Sequence, residues 1–248
     1  MLRSFLICIS YDGTEFCGYQ IQDNGRTVGG VMLDSLKKVF GEVFNVAGCS
    51  RTDSGVHALN YFISFKAETK MSAETVVKAL NANLPNDVVV KNCREVADDF
   101  HARYSVISKE YEYRIYTADV KSPFMRNHAL YLKYPLNVEL LNKAAANFVG
   151  THDFRSFMAS GSKITDTVRT VYKAEVSEIS EGHYTFNIAA DGFLYNMVRI
   201  AVGTLLEVQQ GKILPEEVKN IMDSLDRNKA GFTAPPQGLY LKNVSYTN

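Results

Sequence analysis

At 248 residues the chain is long enough for one large domain or two compact halves with a sizeable core. Its 46% apolar and 22% charged residues describe an ordinary soluble globular protein, and no apolar run approaches the roughly 18 residues of a membrane span. The 27 basic side chains balance the 27 acidic ones, which argues against a nucleic-acid partner, although this count is global and binding needs only a local basic face.

The start of the chain, Met1 to Cys8, has too short an apolar run before Asp12 for a signal peptide, so a cytoplasmic address is expected. Residues 4–10 alternate as a strand and end in the polar loop Asp12-Gly13-Thr14. After Gly29-Gly30, the residues Val31, Leu33, Leu36, Val39 and Phe40 fall close to helical spacing. A further apolar run (Val43, Phe44, Val46, Ala47) leads to Cys49, read as a small core residue near a strand end. Beyond the polar octet 51–58, Tyr61, Ile63 and Phe65 alternate with Asn60, Phe62 and Ser64 as a second strand. Ser72 is placed to cap a helix over 72–82 that turns Val76, Val77 and Leu80 inward, Pro85 closes it, and Val88-Val89-Val90 begins a strand. Residues 109–116 form a strand with Tyr111, Tyr113 and Ile115 on one face. Helical signals return over 138–149 and 195–208, and 171–176 pairs with 184–190 as strands. Pro215 opens a final helix and 239–244 is a closing strand. Strands followed by helices in both halves indicate an α+β chain with a boundary near residue 105. An N-terminal domain would cover 1–105 and a C-terminal domain 106–248.

The octet Arg51-Thr52-Asp53-Ser54-Gly55-Val56-His57-Ala58 concentrates chemistry between two apolar runs. A carboxylate in a loop at the mouth of a sheet serves as base, metal ligand or nucleophile, and the adjacent guanidinium favours its ionised form. The same residue types also make ordinary turns. Asp53 and His57 are four apart, but in a loop-to-strand transition that spacing does not put them on one face. With no third ligand evident, no metal site is expected. The four cysteines (Cys8, Cys17, Cys49, Cys93) lack the spacing of a zinc site or a disulfide scaffold. The run 24–30 is glycine-rich without a Walker lysine and reads as a turn into a helix. Cations gather locally: Lys121, Arg126 and Lys133 have no acidic residue between them, and Arg155, Lys163, Arg169 and Lys173 are offset only by Asp153 and Asp166.

The octet resembles the active-site signature of the tRNA pseudouridine synthase I (TruA) family, and other segments extend that resemblance over nearly the whole chain. Residues 11–20 (Tyr-Asp-Gly-Thr-Glu-Phe-Cys-Gly-Tyr-Gln) are similar to its N-terminal segment, with Tyr19 where a tryptophan is usual. Phe100-His101-Ala102-Arg103, Lys109-Glu110-Tyr111-Glu112-Tyr113, the run 148–154, Asp191 to Arg199 and Pro235 to Leu241 match further family segments. The resemblance implies the pseudouridine synthase fold: two mixed halves with largely antiparallel sheets, joined across a central catalytic cleft. It also implies isomerisation of uridine to pseudouridine at positions 38, 39 and 40 of the tRNA anticodon stem-loop, by a cofactor-free homodimer with the RNA lying across both subunits.

By the same resemblance Asp53 is the nucleophile, attacking the target nucleotide at base or sugar. Arg51 fills the space that the flipped nucleotide vacates. Tyr111 stacks on the target uracil, and Arg199 pairs with Asp53 and keeps it charged. Without the resemblance, Tyr111 would be a core aromatic and Arg199 a side chain reaching out to solvent. Two alternatives stand beside this reading. One is a non-catalytic RNA-binding protein on the same scaffold; the other is a metal-dependent hydrolase using Asp53, His57 and His152.

Overall fold

The structure is a computed structural model that describes residues 2–23, 25–162 and 164–247. Asn24 of the glycine-rich turn and Lys163 of the second basic group lie outside the described residues. In chain order the elements are β1 (Leu2–Tyr11), α1 (Val28–Phe40), β2 (Val43–Gly48), β3 (His57–Glu68), α2 (Ala73–Asn81), β4 (Val88–Glu95) and β5 (Val106–Thr117). They continue with β6 (Leu130–Leu132), α3 (Val138–Ala145), β7 (Gly150–Asp153), β8 (Val168–Ser180), β9 (His183–Ala190), α4 (Met197–Gln209), α5 (Glu217–Asp223) and β10 (Leu239–Tyr246). The chain divides into two compact units: Met1–Ile107 with Tyr240–Asn248, and Ser108–Leu239. The division falls close to residue 105, but β10 belongs with the first unit rather than with the second half in which sequence order puts it.

In the first unit β1 lies between β4 and β3, antiparallel to both, so Phe5, Ile7 and Ile9 point to one face opposite Phe65, Ile63 and Tyr61. All six side chains are buried. The other edge of β3 is shared. β10 runs parallel to its start, pairing Tyr240 with His57 and Leu241 with Ala58, while β2 runs antiparallel to its far end. Helix α1 packs on β2 and α2 on β4. Met32, Leu36, Val76 and Leu80 are fully buried, each such side chain contributing ~1.5–3 kcal/mol relative to exposure. Helix α1 begins earlier than its apolar spacing indicates, because Thr27 caps it through the Gly30 N–H and draws both glycines into the first turn. It stops at Gly41, whose φ of +75° ends the helix within the apolar run 39–47 and lets that run restart as β2. Ser72 caps α2 as its position in the sequence indicates.

In the second unit β5, β9, β8 and β7 form an antiparallel series, with the three-residue β6 parallel to β5. Tyr111 faces Ile188 and Tyr113 faces Phe186 across β5 and β9. Helix α3 packs on β8 and on the apolar helix α4. The segment after α5 returns against α4, where Gly203 and Gly231 let backbones meet: a Cβ on Gly203 would lie 1.8 Å from the Phe232 carbonyl oxygen. The sheets are largely antiparallel, as an α+β chain requires, and no helix among the described residues is long and apolar enough to cross a membrane.

Candidate functional site

In the first unit Asp53 sits in the loop joining β2 to β3, and neighbouring residues fix that loop at almost every position. Cys49 closes β2 by donating its N–H to the Phe62 carbonyl at 2.9 Å. The Tyr61 hydroxyl donates to the Ser50 carbonyl and receives the Ser50 N–H at 3.4 Å. Thr52, 7% exposed, accepts the Tyr19 N–H at its carbonyl (3.1 Å) and shares a hydrogen bond with the Tyr11 hydroxyl at Oγ1 (2.8 Å). The Phe16 carbonyl receives both the Gly55 N–H and the Ser54 hydroxyl at 3.2 Å. Finally, the Val56 N–H donates to the Asp53 carbonyl at 3.2 Å, closing a turn in which Gly55 has φ +75°. Asp53 is half-buried and Arg51 exposed, so the guanidinium is presented outward beside a carboxylate held on a rigid turn.

The segment 11–19 must come very close to that turn, and two glycines permit it. A Cβ on Gly13 would stand 2.0 Å from the Val56 carbonyl oxygen, and one on Gly18 2.5 Å from that of Thr52. Tyr19 stacks on Tyr61 with centroids 4.5 Å apart, and Tyr11 tilts against the same ring at 5.8 Å. Burial pushes both Tyr19 and Tyr61 hydroxyls well above the usual tyrosine range, so they act here as neutral hydrogen-bonding groups. The ring of Tyr19 thus supplies the aromatic face expected of the residue at that position. Strand alternation marks Tyr11 and Tyr61 only as core aromatics; their support of the loop was not visible in the sequence, and the Tyr11-Asp12-Gly13-Thr14 segment was the one signal that drew attention there. Tyr11→Phe is expected to cost about 1–2 kcal/mol of stability, with a coupling of about 1 kcal/mol to Thr52→Val in a double-mutant cycle followed by thermal melting. Additive losses would show that the hydroxyl pair does not hold the loop.

His57 is packed among structural contacts of the first unit. Its Nδ1 accepts the fixed Gly13 N–H at 2.9 Å, its ring stacks on Tyr240 at 4.6 Å, and it is 1% exposed. Asp12 Oδ1 lies 3.1 Å from the same Nδ1 and also receives the Thr14 backbone N–H and hydroxyl. His152 lies on β7 in the second unit, with Nε2 3.0 Å from the Val149 carbonyl oxygen. Cys49 is fully buried, its sulfur receiving the Phe62 N–H at 3.3 Å, as a core residue would. Burial raises the Cys8 thiol, and it pushes Cys93 up to about 11. At pH 8 only about 0.1% of Cys93 is thiolate, so its alkylation should be slow and rise roughly tenfold per pH unit, as peptide mass mapping would record. Fast labelling at pH 8 would contradict that burial effect.

In the second unit Tyr111 is 6% exposed, and Phe193 meets its ring edge-on at 5.0 Å. Arg199 lies in the first turn of α4, behind Asn196 in the left-handed conformation (φ 59°). Its Nε donates to the Ala234 carbonyl at 2.7 Å and its Nη1 to Asn196 Oδ1 at 2.8 Å, while the Ala234 N–H returns to the Arg199 carbonyl at 3.0 Å. This guanidinium is held by the protein rather than extended into solvent. Beside it the Tyr113 hydroxyl donates to the Pro235 carbonyl at 2.8 Å. The segment Pro235 to Gly238 lies against Tyr113, and a Cβ on Gly238 would stand 2.7 Å from its ring. Arg51 and Asp53 thus share one loop of the first unit, and Tyr111 and Arg199 are fixed on β5 and α4 of the second.

Comparison with known proteins gives these residues a context. A family model described as tRNA pseudouridine synthase matches residues 7–105 and 144–247. A protein named tRNA pseudouridine synthase A from Thermoanaerobacter sp. (strain X514) is 50% identical over 245 residues, spanning 99% of this chain and all of that one. Proteins of the same name from Ruminiclostridium cellulolyticum and Anoxybacillus flavithermus are each 44% identical, over 99% and 100% of this chain and the whole of theirs. The matched regions carry the Asp53 turn, Tyr11 and Arg199, and on that sequence match the chain belongs to the tRNA pseudouridine synthase family.

Proposed function

We propose that this isomerase converts uridine to pseudouridine at positions 38, 39 and 40 of the tRNA anticodon stem-loop, with Asp53 as nucleophile. The observation that carries the proposal is the octet itself, in which Asp53 is presented on a turn fixed by Tyr11, Tyr61, Phe16 and two close-approach glycines. In the reaction Asp53 attacks the target nucleotide and the N1–C1′ glycosidic bond breaks. The uracil turns and joins C1′ through C5, the bond that Asp53 made to the nucleotide breaks and restores the carboxylate, C5 gives up its proton, and N1 takes one up. Atoms and charge balance without oxidant, leaving group or cofactor. Arg51, exposed beside the carboxylate, is suited to enter the stack where the flipped nucleotide was, offsetting an unstacking cost of a few kcal/mol. Tyr111 is assigned to stack on the uracil, an interaction of ~1–3 kcal/mol. Arg199 is assigned to keep the carboxylate ionised against the desolvation of a closed site.

The same reading includes a cytoplasmic homodimer bound to RNA, consistent with the absence of any membrane-crossing helix among the described residues. Release of tritium from tRNA labelled at uridine C5 tests the chemistry directly, because that hydrogen is lost only when the new carbon–carbon bond forms. Release matched by pseudouridine in nuclease digests is the expected result. A folded protein that binds tRNA without releasing tritium would instead be an RNA-binding protein on this scaffold.

A further inference from the structure

Between β5 and β6 the chain makes an excursion, Ala118 to His128, that is closely tied down yet holds apolar side chains in water. The Tyr116 hydroxyl receives the Ser122 N–H at 3.1 Å, and the Tyr131 hydroxyl donates to the Ala118 and Asp119 carbonyls at 3.0 and 3.2 Å. Backbone bonds from Met125 to Ser122, and from His128 and Ala129 to Met125, wind the rest into successive turns, and Arg126 donates to the Pro123 carbonyl at 2.8 Å. The rings of Tyr116 and Tyr131 pack 5.3 Å apart beneath it. On this anchored frame Phe124 is 86% exposed and Val120 77% exposed. In sequence Lys121, whose ammonium lies 5.7 Å from the Tyr131 ring, and Arg126 stand on either side of Phe124, and no acidic residue occurs between Asp119 and Glu139. A single exposed phenylalanine is unremarkable in itself. Here it shares a braced turn with two exposed cations, in a chain whose overall charge is zero.

We propose that this loop is an RNA-contact surface outside the Asp53 loop, with Lys121 and Arg126 meeting phosphates and Phe124 stacking on an unpaired base. The proposal rests on the tRNA substrate put forward above. Cations spaced along a short turn suit a phosphate backbone, and an aromatic face accepts any base, so the loop adds affinity without reading sequence.

The test measures the Kd for a full-length tRNA transcript at several salt concentrations, alongside tritium release, for the wild type, Phe124→Ala, Phe124→Trp and the double variant Lys121→Ala/Arg126→Ala. Because these side chains are exposed, all four proteins are expected to melt alike. Phe124→Ala should weaken binding about tenfold and Phe124→Trp should retain it. The double variant should flatten the slope of log K against log salt by about 1.4, the value for two contacts to single-stranded RNA. If the wild type converts and binds tRNA and the variants bind it equally well, the proposal is overturned while the isomerase reading stands. If the variants instead change the oligomeric mass in sedimentation with RNA affinity unaltered, the loop is a protein contact and the proposal is likewise overturned. A wild type that neither binds nor converts tRNA removes both readings together.

Discussion

Asp53→Ala and Asp53→Asn should reduce tritium release from C5-labelled tRNA by about 10⁴-fold or more, the scale on which loss of a covalent nucleophile acts. Both should still bind tRNA. The bond that closes the turn runs from Val56 to the backbone carbonyl of Asp53, and either substitution retains that carbonyl. The hydrogen bonds made by Ser50, Thr52, Ser54 and Gly55 are also kept. A change at a half-buried position with its backbone bonds intact should move the melting temperature by no more than about 4 °C. Residual release above a hundredth of the wild-type rate, in a protein that melts normally, would remove Asp53 from the nucleophile's role.

The second large effect is expected at Gly18, which touches no substrate in this reading. Its φ of +83° favours glycine, and an added Cβ would meet the Thr52 carbonyl oxygen at 2.5 Å and the Asp53 carbonyl carbon at 3.2 Å. Those are backbone atoms, so relief requires moving the loop that carries the carboxylate. Gly18→Ala should therefore cost about 2–4 kcal/mol, or roughly 5–12 °C in melting temperature. It should also lower kcat by about 10²-fold through misplacement of Asp53, with KM for tRNA changed far less. Gly41 supplies the control: its φ is +75°, but nothing lies within 4 Å of an added Cβ. Gly41→Ala should show the conformational cost alone, about 1 kcal/mol, with kcat unchanged. Equal rate losses at Gly18 and Gly41 would show that general destabilisation, not loop displacement, is the cause.

What the sequence revealed, and what it did not, follows from how local each signal is. The helix at 73–81 was readable because its cap and its apolar spacing lie within a single stretch. The strands through Ile63 and Tyr113 were readable from alternation alone. The run 39–47 merges a helix end with β2, since the break at Gly41 depends on one glycine adopting a left-handed conformation that apolarity does not report. The short strands β6 and β7 carry too few residues to display a period. Asp53 and Arg51 stood out because a contiguous octet holds them. The Tyr11–Thr52 bond and the approach of Gly13 to Val56 join residues some forty positions apart, and spacing cannot reveal them. Arg199 was read as a charge following an apolar run. Its anchoring by Ala234 depends on a later stretch folding back on α4.

The pairing of β10 with β3 has a temporal consequence. The first unit is built from the beginning of the chain and its final residues, with the whole second unit made in between. A nascent chain on the ribosome can close the second unit while the first remains one strand short, with the Tyr240 ring that covers His57 still unsynthesised. His57 receives the Gly13 N–H at the foot of the Asp53 turn, so the stacking of Tyr240 on His57 is a support that the turn gains only after the second unit has been made. The ties from Tyr11, Phe16 and Tyr61 lie earlier in the chain and can form before it, so the octet is braced in two stages set by the order of synthesis.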